Sequence, residues 1–214
     1  MGVLVIAGMI AGMFLFMSLV IGPQLVRQDF RHDLPMADVL KAYPMRGWEV
    51  ALGELLAPTV ILTGVQWLLI ILCYGLSSAF GEQLPRELRL AVASGVAILA
   101  PCWNVISLLI PNAAVLYFPG WFHSGKGAPQ GIEVMGQRLI FFLGQAVVFL
   151  VALAPAALTF AVVYFIGRMA LGNYGAVPVG ALAAAAIMAG EAALGVMLLG
   201  KLFERLDLSS ESVS

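Results

Sequence analysis

Gly2-Val3-Leu4-Val5-Ile6-Ala7-Gly8-Met9-Ile10-Ala11-Gly12-Met13-Phe14-Leu15-Phe16-Met17-Ser18-Leu19-Val20-Ile21 is a run of 20 residues without a charge or a proline. As a helix it covers about 30 Å, the thickness of a bilayer's hydrocarbon core. The rest of the chain has the same character. Of 214 residues, 62% are hydrophobic and 11% charged, and the mean hydropathy is +1.00. Soluble domains carry about 25% charged residues, so these 23 charges cannot cover a water-facing surface without large apolar patches. Lipid resolves the conflict. The net charge of −1 gives no reason to expect a nucleic-acid partner.

The same length criterion predicts an all-α, polytopic transmembrane helix bundle of five spans, at about residues 2–21, 50–74, 88–110, 139–166 and 179–202. Gly22-Pro23 stops the first span and Pro111 ends the third. The fourth is long enough to tilt, to kink at Pro155 or to fold into a re-entrant turn. Cys73 and Cys102 lie inside apolar segments and read as small core residues. Eight cations fall in one set of alternate segments (Arg27, Arg31, Lys41, Arg46, Lys126, Arg138, Lys201, Arg205) and three in the other (Arg86, Arg89, Arg168). By the positive-inside rule the N-terminus is outside, residues 22–49 and 112–138 are cytoplasmic loops, and 203–214 is a cytoplasmic tail. An apolar run starting at Met1 with no basic n-region is unlike a signal peptide. It leads to the expectation that at least one more span precedes this chain in an intact protein; the alternative is a true outside start.

Residues 22–49 concentrate eight of the 23 charges. Asp33-Leu34-Pro35 has the form of a helix start, and Met36, Val39, Leu40 and Tyr43 recur at i, i+3, i+4 and i+7 as one apolar stripe. The predicted element is a short amphipathic helix at the cytoplasmic surface, ended by Pro44. It reads either as an interfacial linker or as a docking helix that passes force from a soluble partner into the spans.

Leu40-Lys41-Ala42-Tyr43-Pro44-Met45-Arg46-Gly47-Trp48-Glu49-Val50-Ala51-Leu52-Gly53-Glu54-Leu55-Leu56-Ala57-Pro58 resembles the cytoplasmic approach to a span in permeases of type-2 ATP-binding-cassette (ABC) exporters. Leu109 to Ala114, Gly131 to Arg138 and Leu199 to Arg205 resemble the C-terminal portion of a bacterial ABC exporter group, so the likeness covers nearly the whole chain. It implies six spans with both ends cytoplasmic, a plan that matches the five counted here less the first. It also implies a separate ABC ATPase that holds ATP and Mg²⁺, a second permease copy or half, and no cofactor bound by this chain. Met36, Val39, Leu40, Tyr43, Arg46 and Glu54 then become candidates for docking and coupling to that ATPase.

Gly120-Trp121-Phe122-His123-Ser124-Gly125-Lys126-Gly127 approaches a P-loop, but its last position lacks the hydroxyl that holds Mg²⁺. His32 and His123 are not spaced as metal ligands, and no G-x-S-x-G elbow occurs. Glu191, near the middle of the fifth span, costs roughly 2.5–3.5 kcal/mol to insert as a charge. It lies among Gly180, Ala184, Ile187 and Gly195, where helices approach closely. It reads as a point in a pathway or as a protonated structural hydrogen-bonding group, with Gln66, Asn104 and Gln145 as candidate partners. Glu54 reads as an interfacial acid, snorkelling or paired with Arg46, or as part of the coupling route. Gly8 and Gly12 form a G-x-x-x-G step; Tyr117, Trp121 and Phe122 form an interfacial aromatic belt. The alternatives to a permease are a non-transporting membrane scaffold or assembly protein, and an intramembrane enzyme using Glu191.

Overall fold

The computed structural model describes residues 2–26, 30, 41–79, 84–118 and 132–205. Among these every regular element is helical: α1 (Gly2–Val20), α2 (Gly22–Leu25), α3 (Gly47–Leu76), α4 (Arg86–Tyr117) and α5 (Ile132–Arg205). Four of the helices are long and apolar enough to cross a membrane, which makes the chain a multi-pass membrane protein with an all-α bundle. α1 and residues 139–171 of α5 turn large apolar side chains outward along most of their length, Phe14, Phe16, Leu143 and Leu150 among them. In water such faces would be unstable; in hydrocarbon they are ordinary.

α5 has 74 residues, and a straight helix of that length would reach about 110 Å. At Gly172 the backbone takes φ of +73°, a conformation open to glycine at little cost, and the chain turns back on itself. Gly167 then lies against Ala176 and Gly180 against the Phe160 ring, so the contacts step away from Gly172 in both directions. Residues 132–171 and 173–205 are therefore the two limbs of an antiparallel hairpin. Helix continues on both sides of Pro155 and Pro178; the reversal comes at Gly172, between the fourth and fifth segments expected from hydropathy, and not within the fourth.

Side-chain contacts fix the rest of the bundle. Gln66 meets Asn104 and Trp67 meets the Ala97 carbonyl, so α3 and α4 run antiparallel. Gly95 meets Val177 and Gly195 meets Leu109, so α4 and the 173–205 limb run parallel. One end of the bundle thus carries Arg46, Tyr117 and Arg205, and the other carries Leu76, Arg86 and Gly172. Leu55, Leu108, Val115, Leu199 and Phe203 form a core at the first end. Ile106, Ala156, Ala184 and Met188 form a second.

The helices outrun the boundaries expected from hydropathy because proline interrupts less than its reputation suggests. α4 passes through Pro101 and Pro111 to Tyr117. The chain also regains helical hydrogen bonds after Gly22-Pro23, with the amides of Leu25 and Val26 donating to Ile21 and Gly22. A proline orphans the carbonyl four residues before it. Pro23 orphans that of Leu19, which accepts from Trp103 Nε1 at 2.9 Å; Pro101 orphans that of Ala97, which accepts from Trp67 Nε1 at 3.0 Å. Two indoles on neighbouring helices thus restore what two prolines remove.

Candidate functional site

At the Arg46 end, the segment between α2 and α3 is tied to the end of α5. Phe30 is 1% exposed and stacks on Phe203 with ring centroids 5.5 Å apart. Its backbone N–H donates to Asn112 Oδ1 at 3.1 Å, while Asn112 Nδ2 donates to the Leu108 carbonyl. Lys41 Nζ lies 5.8 Å from the centroid of the same Phe203 ring, within cation–π range. The Gly47 amide donates to Glu204 Oε1 at 2.7 Å, which places a carboxylate at the positive end of α3. Gly47 and Gly200 meet backbone to backbone, and a Cβ on either would overlap the other strand of the contact. Arg46 caps α3, its amide donating to Glu49 Oε2 at 2.8 Å.

The docking candidates Met36, Val39 and Leu40 lie outside the described residues, as does most of the helix expected over 33–44. Within it, Lys41 and Ala42 are helical and Tyr43 is 58% exposed. Glu54 is half-buried on α3, about 10 Å along the helix from Gly47.

Deeper in the bundle, Gln66 and Asn104 are fully buried and face each other. Gln66 Nε2 donates to Asn104 Oδ1 at 3.1 Å, and Asn104 Nδ2 returns a bond to Gln66 Oε1 at 2.8 Å. Asn104 Nδ2 also reaches Thr63 Oγ1, and Gln66 Nε2 reaches the Ser18 carbonyl at 3.2 Å. α1, α3 and α4 therefore share one closed set of hydrogen bonds beside the Pro23 kink. These two amides bond each other and not Glu191, the partner suggested from sequence.

Glu191 stands at the edge of the buried face of the 173–205 limb. Its Oε2 is buried with no hydrogen-bond partner. The small residues around it separate: Gly180 and Gly195 touch Phe160 and Leu109, whereas Gly190 faces open space. Gln145, on the 132–171 limb, lies between two cavities. One, of about 310 Å³, separates it from Leu19, Gln24, Trp103 and Ser107. The other, of about 460 Å³, runs between α4 and residues 140–148 toward Tyr117 and Phe118. Cys73 and Cys102 are free thiols, both partly buried. No cluster of three metal-type ligands occurs among the described residues, and the P-loop-like stretch lies outside them.

Sequence reasoning missed Phe30, Asn112, Glu204 and the Gly47–Gly200 contact. Asn112 beside Pro111 was the one legible signal, a polar residue at the edge of an apolar run. No family model, curated protein or solved structure matches the chain.

Proposed function

We propose that this chain is the membrane-spanning permease part of an ATP-driven ABC exporter. It works with a separate ATPase that holds ATP and Mg²⁺, and with a second permease copy or half, in a bacterial inner membrane. In this reading the hairpin of α5 counts as two crossings, giving five in all. The end with Arg46 and Arg205 is cytoplasmic and the start of α1 is outside, as the excess of cations at that end favours.

The observation that carries the proposal is the double attachment of residues 27–46 to the end of α5. Phe30 on one side of the segment and Lys41 and Gly47 on the other converge on Phe203, Gly200 and Glu204. A partner that displaces the intervening residues loads the last turns of α5, and through Asn112 the end of α4. That is what coupling needs: a soluble motor's stroke delivered to helices by rigid contacts, not through a slack loop. The resemblance of Leu40 to Pro58 to exporter permeases supplies the identity of the motor.

Purification of the tagged full chain from its native membrane tests this. A co-purifying Walker-type ATPase, lost on Met36→Asp or Leu40→Asp, is the expected result. Absence of any ATPase, or capture indifferent to both substitutions, overturns the proposal. One observation favours the scaffold reading instead: Gln66 and Asn104 satisfy each other, so the centre of α1, α3 and α4 is closed.

A further inference from the structure

Residues 139–148 of α5 stand away from the bundle. The limb packs on α4 from Phe149 onward, through Ala152, Leu153, Ala156 and Phe160. Before Phe149 most of its side chains are exposed, and the two cavities flanking Gln145 occupy the gap. Trp103 and Phe149, edge to face at 4.8 Å, form part of the wall of the inner one.

Three polar side chains from three separate elements line that inner cavity: Gln24 of α2, Ser107 of α4 and Gln145 of α5. None makes a hydrogen bond to another described residue, although Gln66 and Asn104 nearby use both of their amide donors and accept at each oxygen. Gln24 is exposed and Ser107 and Gln145 are half-buried; an amide without a partner in a membrane-spanning helix is costly, and such groups normally turn toward one another or toward a ligand. The other described lining residues are apolar, with no acid or base among them. A few convergent hydrogen-bonding groups in an otherwise apolar cavity of roughly 300–1,000 Å³ is the usual form of a small-molecule site.

We propose that the cavity bounded by Gln24, Trp103, Ser107, Gln145 and Phe149 binds an uncharged amphiphile, its ester, amide or hydroxyl group on the three polar side chains. The adjoining cavity toward Tyr117 takes its hydrocarbon chain, since Gln145 borders both. With no charge among the described lining residues, a carboxylate or phosphate at the polar end would lose its hydration without a counter-charge from them. That the ligand is cargo rests on the permease reading; that it binds does not.

The test uses the purified full chain in phosphatidylcholine nanodiscs with a photoactivatable, diazirine-bearing monoacylglycerol. Saturable labelling of residues 103–111 and 142–149, competed by unlabelled monoacylglycerol, is expected. In Gln145→Leu the competitor concentration that halves labelling rises about three- to tenfold, the loss of one hydrogen bond. Leu143→Ala, on the outward face of the same limb, leaves it unchanged. Labelling spread evenly over the lipid-facing residues, unaltered by Gln145→Leu, overturns the proposal, as does stronger labelling by a diazirine-bearing phosphatidylglycerol. Failure of ATPase capture leaves this site standing, and failure of labelling leaves the docking segment untouched, so the two readings fall separately.

Discussion

Gln66 and Gln145 are the same side chain in two settings. Gln66 sits where α1, α3 and α4 meet, fully buried, with both ends of its amide bonded. Gln145 sits where a limb leaves the bundle, beside two cavities, without a bond to any described residue. The first knits three helices and corrects the backbone next to a proline kink. The second offers the same donors and acceptor to whatever enters. A polar residue in an apolar span is therefore ambiguous by itself, and the neighbours it is given decide whether it holds the fold or faces a ligand.

Substitutions on the closed and open sides should separate widely in stability, measured by unfolding in mixed detergent. Gly200→Ala forces a methyl into the Gly47–Trp48 backbone; it should cost about 3 kcal/mol or more, because backbone cannot yield as a side-chain tip can. Gly144→Ala on the open limb meets nothing within 4 Å. It should be neutral or stabilise by up to about 1 kcal/mol through helix propensity. Equal losses from the two would erase the distinction between the sides.

Asn104→Leu comes next. It strands Gln66 and Thr63 in the interior, at a cost of about 1–3 kcal/mol. The double variant with Gln66→Leu should recover part of that loss, because an apolar pair leaves fewer polar atoms unsatisfied. A double-mutant cycle with no coupling would show that the amides do not depend on each other.

Much of the bundle was legible from hydropathy alone, since a span must be long, apolar and uninterrupted by charge. The centres of all five apolar segments lie in helix. What hydropathy could not give was where each helix stops. Pro111 and Gly22-Pro23 looked like terminators, yet helix runs on past both, and for Pro23 and Pro101 the orphaned carbonyl finds a donor on another helix. Those donors are the indoles of Trp103 and Trp67. Nor could spacing show that Gln66 would choose Asn104 over Glu191, or that Phe30 would reach Phe203 from 173 positions away. Those choices are made by packing.

Trp103→Phe tests the proline repair directly. It keeps the ring against Phe149 and leaves the Leu19 carbonyl without its indole, a loss of about 1 kcal/mol. An unchanged stability would mean that the kink satisfies its own backbone. The smallest effect belongs to Gln145→Leu, which should lie within about 0.5 kcal/mol of the parent or exceed it. No described residue loses a bond there, and an apolar side chain suits the surroundings. A loss as large as that of Asn104→Leu would make Gln145 another structural amide.

Single cysteines at Lys41, Arg168 and Arg205, in a chain with Cys73 and Cys102 replaced by alanine, give the most direct test of the whole arrangement. A membrane-impermeant maleimide applied to sealed, right-side-out cells should label Arg168→Cys alone. Lys41→Cys and Arg205→Cys should react only after the membrane is opened. Labelling of positions 168 and 205 from one and the same side would mean that α5 does not turn back across the bilayer at Gly172.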